Sequence, residues 1–312
     1  MKIKQYLLAI FFSTLFMQGS FAQQQGPNVL VVMAHPDDET TFAATLYKIT
    51  KEQHGTVDLF TITNGEGGYK YSTLAEDYYG VTLTDEAIGR KNLPEIRKKE
   101  LRNAGHILGV GNYYFLDQKD AHYTTDEHEP IDTSWNVALV QSRLAHVLKG
   151  KQYDYVFCLL PEETAHGQHK AATIIALQTI ASLPKNNRPI VLGAVVRNKS
   201  SQDISFDKYH SYAETVTNQK APDFFIDRTT SFSYNSRLNY KVVVNWEIAE
   251  HKSQGVMQMA MNDGDLEEFW YFGINGPEGL SKCRSFFDKL KEVPYLTRSY
   301  QPLVSTINHS GK

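Results

Sequence analysis

Asn28-Val29-Leu30-Val31-Val32-Met33-Ala34-His35-Pro36-Asp37-Asp38-Glu39 decides the fold. The apolar run from Val29 to Ala34 is too short for an interior helix and rich in β-branched residues, so it reads as a buried strand. Pro36 then turns the chain, and residues 40–49 have helical character. One imidazole and three carboxylates therefore stand at the carboxyl end of a strand, where open α/β sheets place their ligands. Carboxylates at a helix start also cap free N–H groups and suit the positive end of the helix dipole, so Asp37, Asp38 and Glu39 have a purely structural reading too. That reading leaves His35 without a reason.

A second cluster repeats the arrangement. Residues 153–160 form another apolar, strand-like run, followed by Pro161-Glu162-Glu163-Thr164-Ala165-His166-Gly167-Gln168-His169 and an Ala/Ile/Leu-rich helix through Leu183. His166 and His169 share a face if the helix has begun. Two strand ends meeting across one cleft would bring His35, one carboxylate of the first loop and His169 to a single ion. Two imidazoles and one carboxylate leave the fourth tetrahedral position of Zn²⁺ to water, as in catalytic rather than structural zinc sites.

Between these clusters strands alternate with helices. Strands are expected near 28–34, 56–63, 112–116, 153–160 and 190–196, and helices near 39–52, 94–109, 135–149 and 167–183. This order predicts an α/β fold: a Rossmann-like three-layer domain with a mostly parallel sheet and crossover helices. Past residue 200 the character changes to Tyr/Phe/Ser-rich, strand-like stretches near 223–248, a further one at 269–276 and an amphipathic helix near 279–292. No Pro/Gly/Ser-rich linker separates this part. It is expected to be a β-rich extension (about 201–312) packed on the core (about 27–200) within one domain.

Ala-His-Pro-Asp-Asp-Glu after an N-terminal strand, with a later His-x-x-His followed by Lys170-Ala171-Ala172, resembles the PIG-L, or LmbE-like, family of zinc-dependent de-N-acetylases. Three further elements carry the resemblance. Thr63-Asn64-Gly65-Glu66-Gly67-Gly68 is similar to the family's glycine-rich loop, and Arg97-Lys98-Lys99-Glu100-Leu101 to its Arg-x-x-Glu-Leu helix. His251-Lys252-Ser253-Gln254 is similar to its late His-x-Ser-Gln element. The segments 69–93 and 117–134, and everything beyond Gln254, match no motif of the family.

The resemblance implies His35, Asp38 and His169 as metal ligands, Asp37 as general base, His166 as a second catalytic imidazole and Arg97 as a substrate-binding cation. It implies Zn²⁺ as cofactor, although another divalent transition metal would suit the same ligands. A zinc-bound water has a pKa near roughly 7, and attack on an unactivated amide gains from a carboxylate that removes its proton. A protonated His166 would stabilise the oxyanion, but a helix N-terminus disfavours imidazolium, so it would need an acidic neighbour. The implied reaction is removal of an acyl group, most simply acetyl, from an N-acetylglucosamine-type sugar or glycoconjugate. Its alternatives are a non-sugar amide, or a carbohydrate-binding member of the same fold that has lost catalysis.

Other residues have structural readings. Without the resemblance, Arg97 belongs to a basic stretch, 90–102, that would suit a solvated helix face. His251 follows residues 242–248, read as an alternating or buried strand, and a structural or ligand-supporting role is expected for 251–254. The glycines after Thr63 lack a following Lys-Ser/Thr and read as a tight turn. Residues 69–79, with four tyrosines, suit a lid or sugar-stacking loop as well as a structured surface loop. His106, His122 and His128 have no ligand-like spacing.

At 312 residues, 41% hydrophobic and 21% charged, the chain can bury a substantial core. Lys2 and Lys4, an apolar run over 6–17 and Ser20-Phe21-Ala22 read as a secretory signal peptide over residues 1–22, with residues 23–312 as the mature domain and export to the periplasm or beyond. The run falls below the roughly 20 residues that span a bilayer, so no stable membrane insertion is expected. Losing both lysines takes the formal charge from −3 to −5. Such a surface does not attract nucleic acid and suits a neutral small-molecule or glycan substrate. A nucleotide-binding Rossmann protein is disfavoured because no Gly-x-Gly-x-x-Gly follows the first strand. Cys158 and Cys283 are expected to be free buried thiols.

Overall fold

The computed structural model describes residues 26–297 other than 211 and 234; the signal-peptide reading of residues 1–22 lies outside the described residues. A seven-stranded sheet forms the middle layer, in the order β3-β2-β1-β4-β5-β9-β6. Its strands are β1 (Asn28–Met33), β2 (Thr56–Thr63), β3 (Asn112–Gln118), β4 (Tyr155–Leu159), β5 (Ile190–Arg197), β6 (Phe224–Asp227) and β9 (Leu266–Tyr271). A separate hairpin pairs β7 (Ser231–Ser233) with β8 (Leu238–Asn239). The first five strands of the main sheet pair in parallel, as the alternation predicts. β9 then pairs antiparallel with both β5 and β6, so the extension lengthens the sheet as well as packing helices on its face.

Eight helices bear on the site: α1 (Ala43–Tyr47), α2 (Thr73–Tyr79), α3 (Glu86–Leu108), α4 (Val137–Gly150), α5 (Gly167–Ser182), α6 (Lys241–Ile248), α7 (Gly255–Gln258) and α8 (Gly279–Lys291). Alternation along β1 explains the two hydrophobic layers. Val29, Val31 and Met33 face α1, α3, α6 and α8, while Leu30 and Val32 face α4 and α5. Each such side chain taken fully from water contributes about 1.5–3 kcal/mol.

Three local readings need correction. Residues 242–248 are not a strand but the core of α6. Val243, Val244, Glu247 and Ile248 bury one helical face while Trp246 stays exposed, and packing on the core overrides the β-branched run. The helix expected to start at Pro94 begins at Glu86, because Asp85 caps it by accepting from Ile88 N at 2.9 Å, leaving Pro94 inside. Residues 69–79, read as a lid, a sugar-stacking loop or a structured surface loop, are largely helical. They are 3₁₀ (Glu66–Tyr71) and α2, with the Tyr79 hydroxyl donating to Glu100 at 2.7 Å. Cys158 and Cys283 are buried and free, as expected.

The strand order runs 3-2-1 to one side of β1 and 4-5 to the other, so β1 and β4 flank the switch point where their following loops diverge. Those loops carry the two histidine clusters. Gly167, opening α5, lies so close to the Asp126 carbonyl that a Cβ would meet it at 2.2 Å, and its N–H donates to Thr124 O at 2.7 Å. This holds segment 117–134 over the same end of the sheet. The extension fastens the other side. Glu267 of β9 accepts from the N–H groups of Ala44 and Thr45 at 2.8 and 2.9 Å, and buried Arg228 bridges Glu267 and the Thr40 carbonyl. Removing one partner of such a buried pair costs about 3–5 kcal/mol.

Candidate metal centre

Loops after β1, β2, β3 and β4 close one cleft of about 260 Å³. A larger cleft of about 880 Å³ lies at the opposite, amino ends of the strands, and no histidine lines it. The chemistry is at the carboxyl ends.

There, His35 Nδ1 and His169 Nε2 are 3.1 Å apart, and Asp38 Oδ1 lies 3.1 Å from the latter and 3.6 Å from the former. Each donor is aimed from behind. Asp38 Oδ2 accepts from the N–H groups of Ala34 and His35, both at 2.9 Å, which leaves Oδ1 turned inward. His35 Nε2 is 2.8 Å from Gln168 Oε1, and donating there leaves Nδ1 with its lone pair facing the other two atoms. Gln168 in turn donates to Asp120 at 3.2 Å, and Asp120 accepts from Gly67 N at 2.8 Å. Two imidazole nitrogens and a carboxylate oxygen, those of His35 and Asp38 with their other polar atom occupied, fit a tetrahedral divalent metal with one position left open. Burial opposes charge on His35, but Asp38, helped by Asp120 and Asp37, outweighs it and raises its pKa to about 9. Burial likewise opposes ionisation of Asp38, yet His169 and His35 hold its carboxyl well below the usual range. This local field favours a cation between them.

Asp37 stands beside this set, and its own side chain makes no helix cap. Its Oδ2 accepts from Arg97 Nη2 at 2.7 Å. Burial pushes its pKa up, against the pull of Arg97 and with the repulsion of Asp38. Such a carboxyl is a better proton acceptor near neutral pH than an exposed one.

Arg97 is not on a solvated face. It is buried and also donates to the Pro36 and Gly65 carbonyls, so it ties the first and second loops together. Gly65 needs its left-handed φ of 69°, and a Cβ there would collide with the guanidinium. The same arginine borders the cleft.

His166 lies with its ring centroid 5.1 Å from that of His35 and 5.3 Å from that of His169, and its buried Nε2 has no hydrogen-bond partner. The donor atoms of these three histidines are close enough together to share an ion. Burial first, then the charges of His35 and His169, lowers the His166 pKa to about 3, with Asp120 as the opposing acid. This shift favours the neutral imidazole, and Asp120 is the group that favours the protonated form. Asp120, in a segment without a recognisable motif, is the acidic neighbour that the sequence does not reveal. Gln168 was legible only as the residue between two histidines.

The rim comes from the segments that matched no motif. Tyr71, Tyr123, Val256 and Met257 line the cleft, and Tyr123, largely exposed, stacks on His166 at 4.9 Å between centroids. The late motif interlocks with the helix motif. Ser253 donates through N and Oγ to Glu100 at 2.8 and 2.6 Å, placing Gln254 in the cleft wall.

Fold and site together define a Rossmann-like α/β protein with a candidate metal centre of two histidines and one aspartate. Residues 30–180 match the family model PIG-L, described as GlcNAc-PI de-N-acetylase, in agreement with the resemblance that the sequence motifs carry. A probable N-acetyl-α-D-glucosaminyl L-malate deacetylase 2 of Bacillus cereus is 26% identical over 176 residues, 56% of this chain and 70% of its own. Among solved structures, the N,N'-diacetylchitobiose deacetylase of Pyrococcus horikoshii is 18% identical over 85% of this chain and 91% of its own, with a TM-score of 0.45. The 4-carboxy-2-hydroxymuconate hydratase GalB of Pseudomonas putida is 16% identical over 78% and 95%, with a TM-score of 0.49.

Proposed function

We propose that this protein is an exported, zinc-dependent hydrolase that removes the acetyl group from the nitrogen of an N-acetylglucosamine-type sugar or glycoconjugate. The observation that carries the reading is the convergence of His35, Asp38 and His169 with an Arg97-held Asp37 beside them in one cleft. A binding module has no use for a buried carboxylate next to the ligands. His35, Asp38 and His169 hold the metal, which supplies a Lewis acid and an activated water.

The remaining steps belong to the chain. Asp37 takes the proton of the attacking water as the oxygen–carbon bond forms, its free oxygen unencumbered while Arg97 fixes the other. His166 stands beside the reacting centre and donates an N–H hydrogen bond to the former carbonyl oxygen as negative charge develops on it, while the proton taken by Asp37 is kept for the leaving amine. A cleft of about 260 Å³ is below the roughly 300–1,000 Å³ of pockets for drug-sized ligands. It takes the acetamido end, while the rest of a larger substrate lies over Tyr71, Tyr123 and Val256. Substrate choice is therefore assigned to these residues, not to the metal ligands.

The expected result with zinc-loaded protein is equimolar acetate and free amine from N-acetylglucosamine glycosides, abolished by a chelator and restored by Zn²⁺. Equal rates on sugar and non-sugar acetamides would overturn the sugar assignment. No amine from any acetamide would overturn the hydrolase reading.

A further inference from the structure

Asp37 holds a backbone conformation, φ 136° and ψ −16°, that a residue with a side chain rarely adopts. Such conformations cost about 1–3 kcal/mol and persist only where surrounding contacts over-determine them. Arg97 fixes the side chain. The backbone is fixed separately, because Asp37 N–H donates to Glu39 Oε2 at 3.0 Å.

Glu39 is itself held by residues from the other end of the chain. Its Oε1 is 2.7 Å from His251 Nε2, which also lies 3.2 Å from Glu247 Oε1. Glu247 accepts the Thr40 hydroxyl on both oxygens, at 2.9 and 3.0 Å. Glu39, Glu247 and His251 are completely buried, and none of them lines the cleft. The three could also be read as metal donors, since their ligand atoms lie close together. The arrangement is a hydrogen-bonded one: His251 Nε2 is shared between two carboxylates, with a threonine hydroxyl on the farther one, while buried Nδ1 has no partner. A carboxylate locked this way has one orientation left, the one that receives Asp37 N–H.

We infer that His251, acting through Glu39, is a positioning residue for Asp37, so that α6 and the turn after it set the geometry of the general base from outside the 30–180 region. The inference rests on Asp37 being that base. Without His251, Glu39 is free to turn toward Glu247 or away from it, the Asp37 peptide relaxes, and the carboxylate leaves the attacking water. A misplacement of about 1 Å suffices to lose roughly 100-fold in rate.

The test is His251→Ala and His251→Gln, each in the wild-type and Asp37→Asn backgrounds, with kcat, KM, metal content and thermal unfolding measured. His251→Ala should lose roughly 10- to 100-fold in kcat with KM and metal content unchanged, and His251→Gln, which keeps an N–H at similar reach, should recover most of it. In the Asp37→Asn background the same change should cost less than about threefold, since residues acting as a unit are non-additive. Equal losses in both backgrounds, or full kcat in folded His251→Ala, would overturn the inference, as would a second metal ion lost with His251. If His251→Ala does not fold, Glu247→Gln replaces it: several-fold lower kcat at unchanged KM supports the inference, and unchanged kcat overturns it. Full activity of Asp37→Asn alone would instead remove the base assignment on which the inference stands.

Discussion

Asp37→Asn should lose roughly 10²- to 10⁴-fold in kcat while keeping its metal, the range expected when a general base is removed. The substitution preserves shape, and its amide oxygen still accepts from Arg97, which keeps the carbonyls of Pro36 and Gly65 as further acceptors. Metal should stay because the inward-facing atoms of His35, Asp38 and His169 are untouched. What disappears is the ability to take a proton. KM should change little, since Asp37 acts on the attacking water rather than on the sugar. Steady-state kinetics alongside metal analysis checks this, and wild-type turnover would reduce Asp37 to a structural residue of the loop.

His169→Ala should empty the site. His169 Nε2 is the atom closest to both other proposed ligands, so its loss leaves two donors. Affinity should fall by well over the roughly 10- to 100-fold typical of losing an outer partner such as Gln168. Activity falls with it and returns only partly at high Zn²⁺. His166→Ala is the control: it should retain metal and lose kcat. Equilibrium dialysis followed by elemental analysis separates the two variants. Full metal content in His169→Ala, or loss of metal in His166→Ala, would move His166 into the ligand set.

Much of this arrangement is legible in the sequence, for identifiable reasons. β1 and β4 are short apolar runs that end abruptly in charged residues, and parallel strands buried on both faces leave that signature. Their loops carry the six site candidates, Arg97 apart, and the structure brings all six into one cleft. Arg97 shows how charge patterning misleads: it lies among five other cations along residues 90–102, yet it alone turns inward, to a carboxylate that its own helix does not reveal. Residues 242–248 mislead through local preference, three consecutive valines being helical because α6 packs one face against the core. Asp120, Tyr123 and Glu247 were illegible because their roles depend on contacts across 43 to 207 residues of chain. No period or spacing encodes such contacts.

The central claim is that one metal ion sits between His35, Asp38 and His169, with Asp37 beside it and unbound. X-ray diffraction from crystals of zinc-loaded protein, recorded on both sides of the zinc absorption edge, tests it most directly. The expected result is one anomalous peak about 2.0–2.2 Å from His35 Nδ1, Asp38 Oδ1 and His169 Nε2, with its fourth position open to solvent. A peak bound to His166 in place of Asp38, or lying among Glu39, Glu247 and His251, would contradict it.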